Sequence, residues 1–320
     1  SCLPHVNVLE ASTEGNRVML RGIFVSGIVY AISGAAMAET DLSLLRTQID
    51  TAIAQEDVAA LKSAFDPDIQ IMPEFQKTMV GPDVATRYYK TLFDGIDVAQ
   101  FEKTLTETIP IDNLRADIGA FRLAYKPANS PSSDPAEISG SYFDIWQEDA
   151  SGNYTLLTQA WNFDEAYPDI RNSKLSDALP GVHLAFTPSA PVGSGVSFDL
   201  AAVNQFNDAA MLRHQPDILY HVYAEDAVMM PHDSPPVEGR EAIRVFLEDY
   251  TSHWPSFDYI KSTAHRIEGT SPFVLSYLSY NLRWDSLDNS GISIGKGIRI
   301  LKRDDTGSLR TYRIISMHDQ

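Results

Sequence analysis

Three observations in the sequence predict an α+β protein of two tandem domains. Asp68-Ile69-Gln70-Ile71-Met72-Pro73 recurs as Asp226-Ala227-Val228-Met229-Met230-Pro231, an offset of 158 residues that also sets Gly81 on Gly239. Further on the offset is 155: Glu148-Asp149-Ala150-Ser151-Gly152 meets Arg303-Asp304-Asp305-Thr306-Gly307, and Asp164 falls on Asp319. In each copy helical periodicity comes first and strand-like alternation afterwards, the order of an α+β layer. Self-similarity over this length means tandem domains rather than a short-unit solenoid.

The first copy opens with Leu42, Leu45, Ile49, Ala52 and Ile53 at helical spacing, and Ala59 to Phe65 continues a second short helix after Gln55-Glu56-Asp57. Ile69 to Met72 reads as a strand that Pro73 ends. Gly81-Pro82-Asp83 opens a third helix, with proline early, where its missing N–H costs least. Four strand-like runs follow, near Phe101–Pro110, Leu114–Tyr125, Ile138–Glu148 and Tyr154–Phe163. The second copy repeats this order. Leu200, Val203, Phe206, Ala210 and Met211 make a helix, Pro216 to Tyr223 a short one, Ala227 to Met230 a strand, and Glu241 to Tyr250 a third helix. Strands follow near Phe257–Glu268, Phe273–Trp284, Ile292–Arg303 and Leu309–His318, joined by turns rich in Asp, Asn and Gly. Tyr167 to Ser197 holds four Pro, three Gly and five Ser, so it is a linker, though Val182-His183-Leu184-Ala185-Phe186 is apolar enough to dock. The expected division is 39–166 for the first domain, 167–197 for the linker and 198–320 for the second.

At 320 residues and 44% hydrophobic content each domain can bury its own core. The formal net charge is -18, concentrated in residues 39–180, where 24 acidic side chains face 11 basic ones. Such a surface repels phosphate backbones and argues against nucleic acid as a partner. Residues 1–38 are expected to be an upstream segment plus a secretory signal peptide. Arg17 and Arg21 precede the apolar run Ile23 to Ile32, and Ala36-Met37-Ala38 is a small-x-small ending before Glu39. The run is short for a membrane span. The expected location is therefore periplasmic or extracellular, with no stable span after cleavage. Cys2 is the single cysteine and lies outside the expected mature chain, which leaves no disulfide and no thiolate metal site there.

The stretches Tyr223-Ala224-Glu225-Asp226-Ala227-Val228-Met229-Met230-Pro231, Val237-Glu238-Gly239-Arg240 and Ile300 to Leu309 resemble the nuclear transport factor 2-like superfamily, and within it the SnoaL-like branch. The first copy is similar through Phe65-Asp66-Pro67-Asp68 and Trp146-Gln147-Glu148-Asp149. The resemblance implies two cones, each a strongly curved antiparallel sheet around three helices with an apolar pocket at the open end. It also implies a range of activities, from isomerases, cyclases and dehydratases to non-catalytic binding domains, and fold alone does not choose among them. Alignment with the steroid isomerases puts their general-base aspartate at Pro231 and Pro73 and their oxyanion-donating tyrosine close to Asn207. Both departures count against that particular chemistry, because proline cannot accept a proton.

Histidine is unevenly distributed: residues 39–180 contain none, and His183, His214, His221, His232, His253, His265 and His318 lie beyond. A catalytic domain would then be the second. His232-Asp233 follows the strand-ending Pro231 and is the first candidate for a base with an orienting carboxylate, or else a solvated loop. Lys296 sits in the alternating run Ile292, Ile294, Lys296, Ile298, Ile300 and is a candidate base or carbonyl-binding amine, or else a side chain that snorkels past the sheet edge. Asn207 is the alternative group to polarise a carbonyl oxygen. Met211, Met230, Trp254, Tyr277, Tyr280 and His318 are candidate ligand-binding residues, with core packing as the plain alternative. No metal triad, phosphate loop or nucleophile elbow emerges, so no cofactor is expected. The sequence points to an exported pocket protein for a small apolar molecule, with proton transfer next to a carbonyl as its chemistry. The alternative is a non-catalytic ligand-binding or assembly protein, its domains paired as an intrachain pseudo-dimer or in a homo-oligomer.

Overall fold

The structure, a computed structural model, describes residues 42–128, 134–165 and 179–319. The expected signal segment, residue 166 and residues 167–178 of the linker lie outside that range. The first body begins with helix α1 over residues 42–54. Then come α2 (Val58–Ala64), β1 (Phe65–Pro73), β2 (Met79–Val80), α3 (Pro82–Gly95), β3 (Ile96–Ile111), β4 (Leu114–Pro127), β5 (Ala136–Glu148) and β6 (Tyr154–Trp161). The second body runs α4 (Gly195–Leu212), α5 (Pro216–Leu219), β7 (Tyr223–Met230), β8 (Val237–Glu238), α6 (Arg240–Ser252), β9 (Ser256–Glu268), β10 (Phe273–Asp285), β11 (Ser290–Arg303) and β12 (Leu309–His318).

Each body holds one six-stranded sheet, ordered β2-β1-β6-β5-β4-β3 and β8-β7-β12-β11-β10-β9. The first strand of each lies parallel to the last and the other pairings are antiparallel. The duplication reaches single hydrogen bonds. Asp149 Oδ1 accepts from the N–H groups of Ser151 and Asn153, and Asp304 Oδ1 accepts from those of Thr306 and Ser308. Gly81 and Gly239 cap α3 and α6 at the same φ of 86°, a left-handed conformation that glycine adopts without strain. The short β2 and β8 strands were not expected, since two residues carry no readable period.

Helix starts follow their chemistry. Asp57 caps α2 by accepting from the N–H groups of Ala59 and Ala60. Ser194 and Ser197 form a reciprocal capping box, which starts α4 at Gly195.

Alternation along the strands divides the core into layers. In the first sheet Trp146 and Leu156 pack with Leu42, Ile49, Leu61 and Tyr89 of the helices. Phe143, Ile145 and Ala160 face the other way and join Leu275, Tyr277, Ile298, Ile300, Ile315 and Met317 of the second sheet in one shared apolar layer. The two bodies thus pack sheet face to sheet face within one chain. Polar contacts register them. Thr158 and Tyr277 share a hydroxyl hydrogen bond of 2.7 Å. The Phe75 N–H donates to His318 O, and the His318 N–H donates back to Glu74 Oε1, both at 2.8 Å. Asn162 Nδ2 donates to the carbonyls of Met230, Pro231 and Ser316.

The linker docks across this seam. Val182 exchanges both backbone hydrogen bonds with Thr78, and Leu184 enters the shared layer. Lys296 and Asp319, each with a side chain 0% exposed, pair at 2.6 Å, and Lys296 also donates to the carbonyl of Gln76 in the first body. The other oxygen of Asp319 lies 2.8 Å from His183 Nδ1. First body, linker and second body therefore meet at one buried ion pair. Removing one partner strands a buried charge, whereas replacing both with apolar groups is often tolerated. Lys296→Met is expected to cost about 3–5 kcal/mol, and Lys296→Met with Asp319→Leu to recover most of it. Urea denaturation of the single and double variants checks this.

Candidate functional site

A cavity of about 1420 Å³ opens in the second body. Its walls come from α4, α6, the β10–β11 hairpin and the helix-facing side of the sheet, with Trp254, Phe257, Leu278, Leu282 and Trp284 supplying apolar surface. The equivalent cavity in the first body is about 110 Å³, because Tyr88, Tyr89, Phe121, Trp161 and Phe163 crowd it. Capacity for a ligand of more than a few atoms lies in the second body.

One wall carries a chain of four ring side chains. Tyr250 OH is 2.8 Å from His232 Nε2, His232 Nε2 is 2.8 Å from His318 Nε2, and His318 Nδ1 bonds Tyr280 OH. His232 Nδ1 lies 3.2 Å from Asp233 Oδ2. One assignment of protons with neutral rings serves the His232–His318 and His318–Tyr280 contacts and leaves the Tyr250 hydroxyl competing for the single lone pair of His232 Nε2. His318 carries its proton on Nε2 and donates it to His232 Nε2, Tyr280 donates to His318 Nδ1, and His232 carries its proton on Nδ1, towards Asp233. Burial pushes the Tyr250 phenol up to about 12 and Tyr280 well above its ordinary value, so both remain donors at neutral pH.

The backbone explains why these groups converge. Pro231 ends the first strand of the sheet and Asp233 adopts φ 57°, which turns the chain so that His232 re-enters the cavity wall. His318 stands at the end of β12, and β11 passes Gly295 opposite it. A Cβ at Gly295 would overlap Cζ and OH of Tyr280, so this glycine lets the phenol lie flat on β11 and reach His318.

Arg299 lies on the cavity floor, nearly fully buried. Its Nη2 donates to Asn204 Oδ1 at 2.5 Å, and its Nε is buried without an acceptor among the described residues. Burial lowers its pKa to about 10.

Of the residues singled out in the sequence, His232, His318, Tyr280, Asn207, Met211 and Trp254 all line this cavity, with Asp233 beside His232. Three others lie elsewhere. Lys296, Met230 and Tyr277 belong to the seam between the bodies, and none lines the cavity. The reason is the double burial of the sheet. Ile294, Lys296, Ile298 and Ile300 share one face of β11, and that face meets the other sheet, while Ser293 and Arg299 look into the cavity. Sequence reading missed Tyr250, Asn204 and Arg299. Tyr250 had a legible signal, being on the helix face of Phe246 and Ile243; Arg299, in a strand of isoleucines, was the charge in the less apolar register.

Among the described residues no group of three His, Cys, Asp or Glu side chains is placed to hold a metal ion, and no helix is long and apolar enough to cross a membrane.

Both bodies have one fold, in two tandem copies: helices on one face of a six-stranded sheet whose first strand returns parallel to its last, the α+β architecture expected from the resemblance to the nuclear transport factor 2-like superfamily. No family model and no curated protein matches the chain. Among solved structures it is similar to a ketosteroid isomerase-like protein from Erwinia carotovora atroseptica, at 12% identity over 40% of this chain and 96% of that one, with a TM-score of 0.37. A nuclear transport factor 2-like superfamily protein from Salmonella enterica serovar Typhimurium matches at 10% identity over 40% and 92%, TM-score 0.35. A conserved protein from Planctomyces limnophilus matches at 12% identity over 40% and 98%, TM-score 0.36.

Glu74 comes from the first body, occupies the place equivalent to His232, and touches this wall from behind through the His318 N–H. It is buried, and its second oxygen has no partner among the described residues. Burial raises its pKa from an ordinary 4.5 to about 8, against the opposing pull of the His318 N–H and Lys296. The folded state therefore holds this proton more tightly than the unfolded chain does. Stability is expected to fall as pH rises from about 4.5 to 8, by on the order of a few kcal/mol from this group. Glu74→Gln should flatten that slope. Denaturant unfolding from pH 4.5 to 8.5 on both proteins measures it.

Proposed function

We propose that the second body binds a small, largely apolar carbonyl compound and moves a proton at the carbon next to the carbonyl. The observation that supports this is the Tyr250–His232–His318–Tyr280 array set in the wall of a roomy apolar cavity. A cavity with apolar surface and with imidazoles and un-ionised phenols in its wall suits isomerisation, cyclisation or dehydration through an enol-like state.

In this reading His232 Nε2 is the base. Tyr250 and His318 both reach that one nitrogen, so a bound substrate takes the place of one of them. The proton taken up at Nε2 makes the ring cationic, and Asp233 beside Nδ1 steadies that cation. Asn207 is the group offered to the carbonyl oxygen, because it lines the cavity and its Nδ2 makes a weak 3.3 Å contact to Met211 Sδ, although its amide also bonds the Asp208 carboxylate. The domains are taken as 39–166 and 198–320, each a cone of three helices in a curved sheet. The reading includes export, supported by the basic flank, apolar run and Ala36-Met37-Ala38 ending.

A second reading, a non-catalytic binding or assembly protein, draws support from the crowded cavity of the first body and from the area that the two sheets spend on each other.

Proton exchange separates the two readings. With a bicyclic ketone such as 2-tetralone in D2O, the wild type is expected to accelerate exchange at the α-carbon. His232→Ala should cut the rate about 100-fold or more while the ligand still raises the melting temperature. Thermal stabilisation without any exchange would favour the binding protein, and unchanged exchange in His232→Ala would remove His232 from the role of base.

A further inference from the structure

We infer that the ligand of the second cavity carries a carboxylate, which the Arg299 guanidinium on the cavity floor receives. The inference rests on the proposal that this cavity is a ligand site, and adds the charge of the molecule that fills it.

Arg299 is 5% exposed. A guanidinium offers five N–H donors in a rigid fork. Here the protein supplies a neutral amide oxygen to Nη2, leaves Nε without an acceptor, and brings no carboxylate within ion-pair distance among the described residues. Asp208 is the acid whose charge reaches Arg299, but its oxygens are taken by the N–H of Ser262 at 2.8 Å and the Ser262 hydroxyl at 2.5 Å. A buried cation with no carboxylate in contact is costly, and such groups are normally paired.

The first body shows what the paired arrangement looks like in the same fold. There Arg46 grips Asp117 with two bonds of 2.7 and 2.8 Å, and Lys103 pairs with Asp144 at 2.5 Å. By the repeat offsets Arg46 corresponds to Asn204 and Asp144 to Arg299. The β4–β5 and β10–β11 registers match Asp117 to Ser276. The second body has thus reversed the charge at one position and removed the acid at another. In the first body each of these partly buried cations has its own carboxylate. In the second a cation waits at the bottom of a cavity large enough to admit one.

The class of ligand follows. One guanidinium balances one negative charge, and the fork matches the two oxygens of a carboxylate. Trp254, Phe257, Leu278, Leu282 and Trp284 supply apolar surface in the same cavity, which suits an aromatic or acyl body for the rest of the molecule. A dianionic phosphate would find a single cation inside a chain of net charge -18.

Calorimetric titration of the full chain with biphenyl-4-carboxylate and with biphenyl-4-carboxamide, alike in shape and different in charge, tests this. The wild type is expected to bind the carboxylate about tenfold tighter or more, the size of one charge-assisted hydrogen bond. Arg299→Gln should bring the two ligands to within about twofold while leaving the carboxamide affinity little changed. Equal binding of both ligands by the wild type would overturn the inference and leave the cavity a ligand site. Persistence of the preference in Arg299→Gln would overturn it as well. Failure of both compounds to bind the wild type would remove the ligand site itself, and the inference with it. The wild-type comparison decides the matter even if the variant does not fold.

Discussion

A six-stranded sheet presents two faces, and in this chain both are apolar. Helices can cover one of them. Trp146 and Leu156 find α1 to α3 on their side, but Phe143, Ile145 and Ala160 on the reverse would meet water if the body stood alone. The second copy presents the same unmet surface through Ile298, Ile300, Ile315 and Met317. Each sheet is the other's missing layer, and the chain's architecture follows from that need. The linker, the Asn162 clasp and the Lys296–Asp319 pair are arranged along the rim where the two faces meet.

With the reverse faces committed to each other, divergence between the copies falls on the helix side, where each body encloses its own cavity. The first copy has filled that space with aromatic rings and neutralised its buried charges internally. The second has kept the space and lined it with imidazoles, phenols and one guanidinium. The two ends of the duplicated scaffold touch at Glu74 and His318, so the crowded body supports the wall of the open one.

Much of the fold could be read from the sequence because duplication supplies an internal control. A pattern seen once is ambiguous; seen twice at a steady offset, it marks a strand or a turn. Asp149 and Asp304 are such a case, and their side-chain bonds to the following N–H groups turn out alike. The cavity wall was partly legible for a different reason: residues 39–180 hold no histidine, which sets His232 and His318 of the second copy apart. What sequence could not say was which face of a strand looks where. In β11 the isoleucine register reads as the inner lining of a cone, yet it forms the seam, and Lys296 goes with it. Period two separates faces but does not label them. Arg299 gains meaning from neighbours distant in sequence, and no local pattern encodes that.

The covalent join between the copies changes what selection can do with such a scaffold. When two separate chains associate through identical patches, every substitution appears on both sides of the axis, and the pair comes apart on dilution. Here the partner is supplied at the effective concentration of a tether, independent of how much protein is present. A residue can change in one half and stay fixed in the other, as Glu74 and His232 have done at equivalent places. Broken symmetry lets one copy specialise in holding the other together.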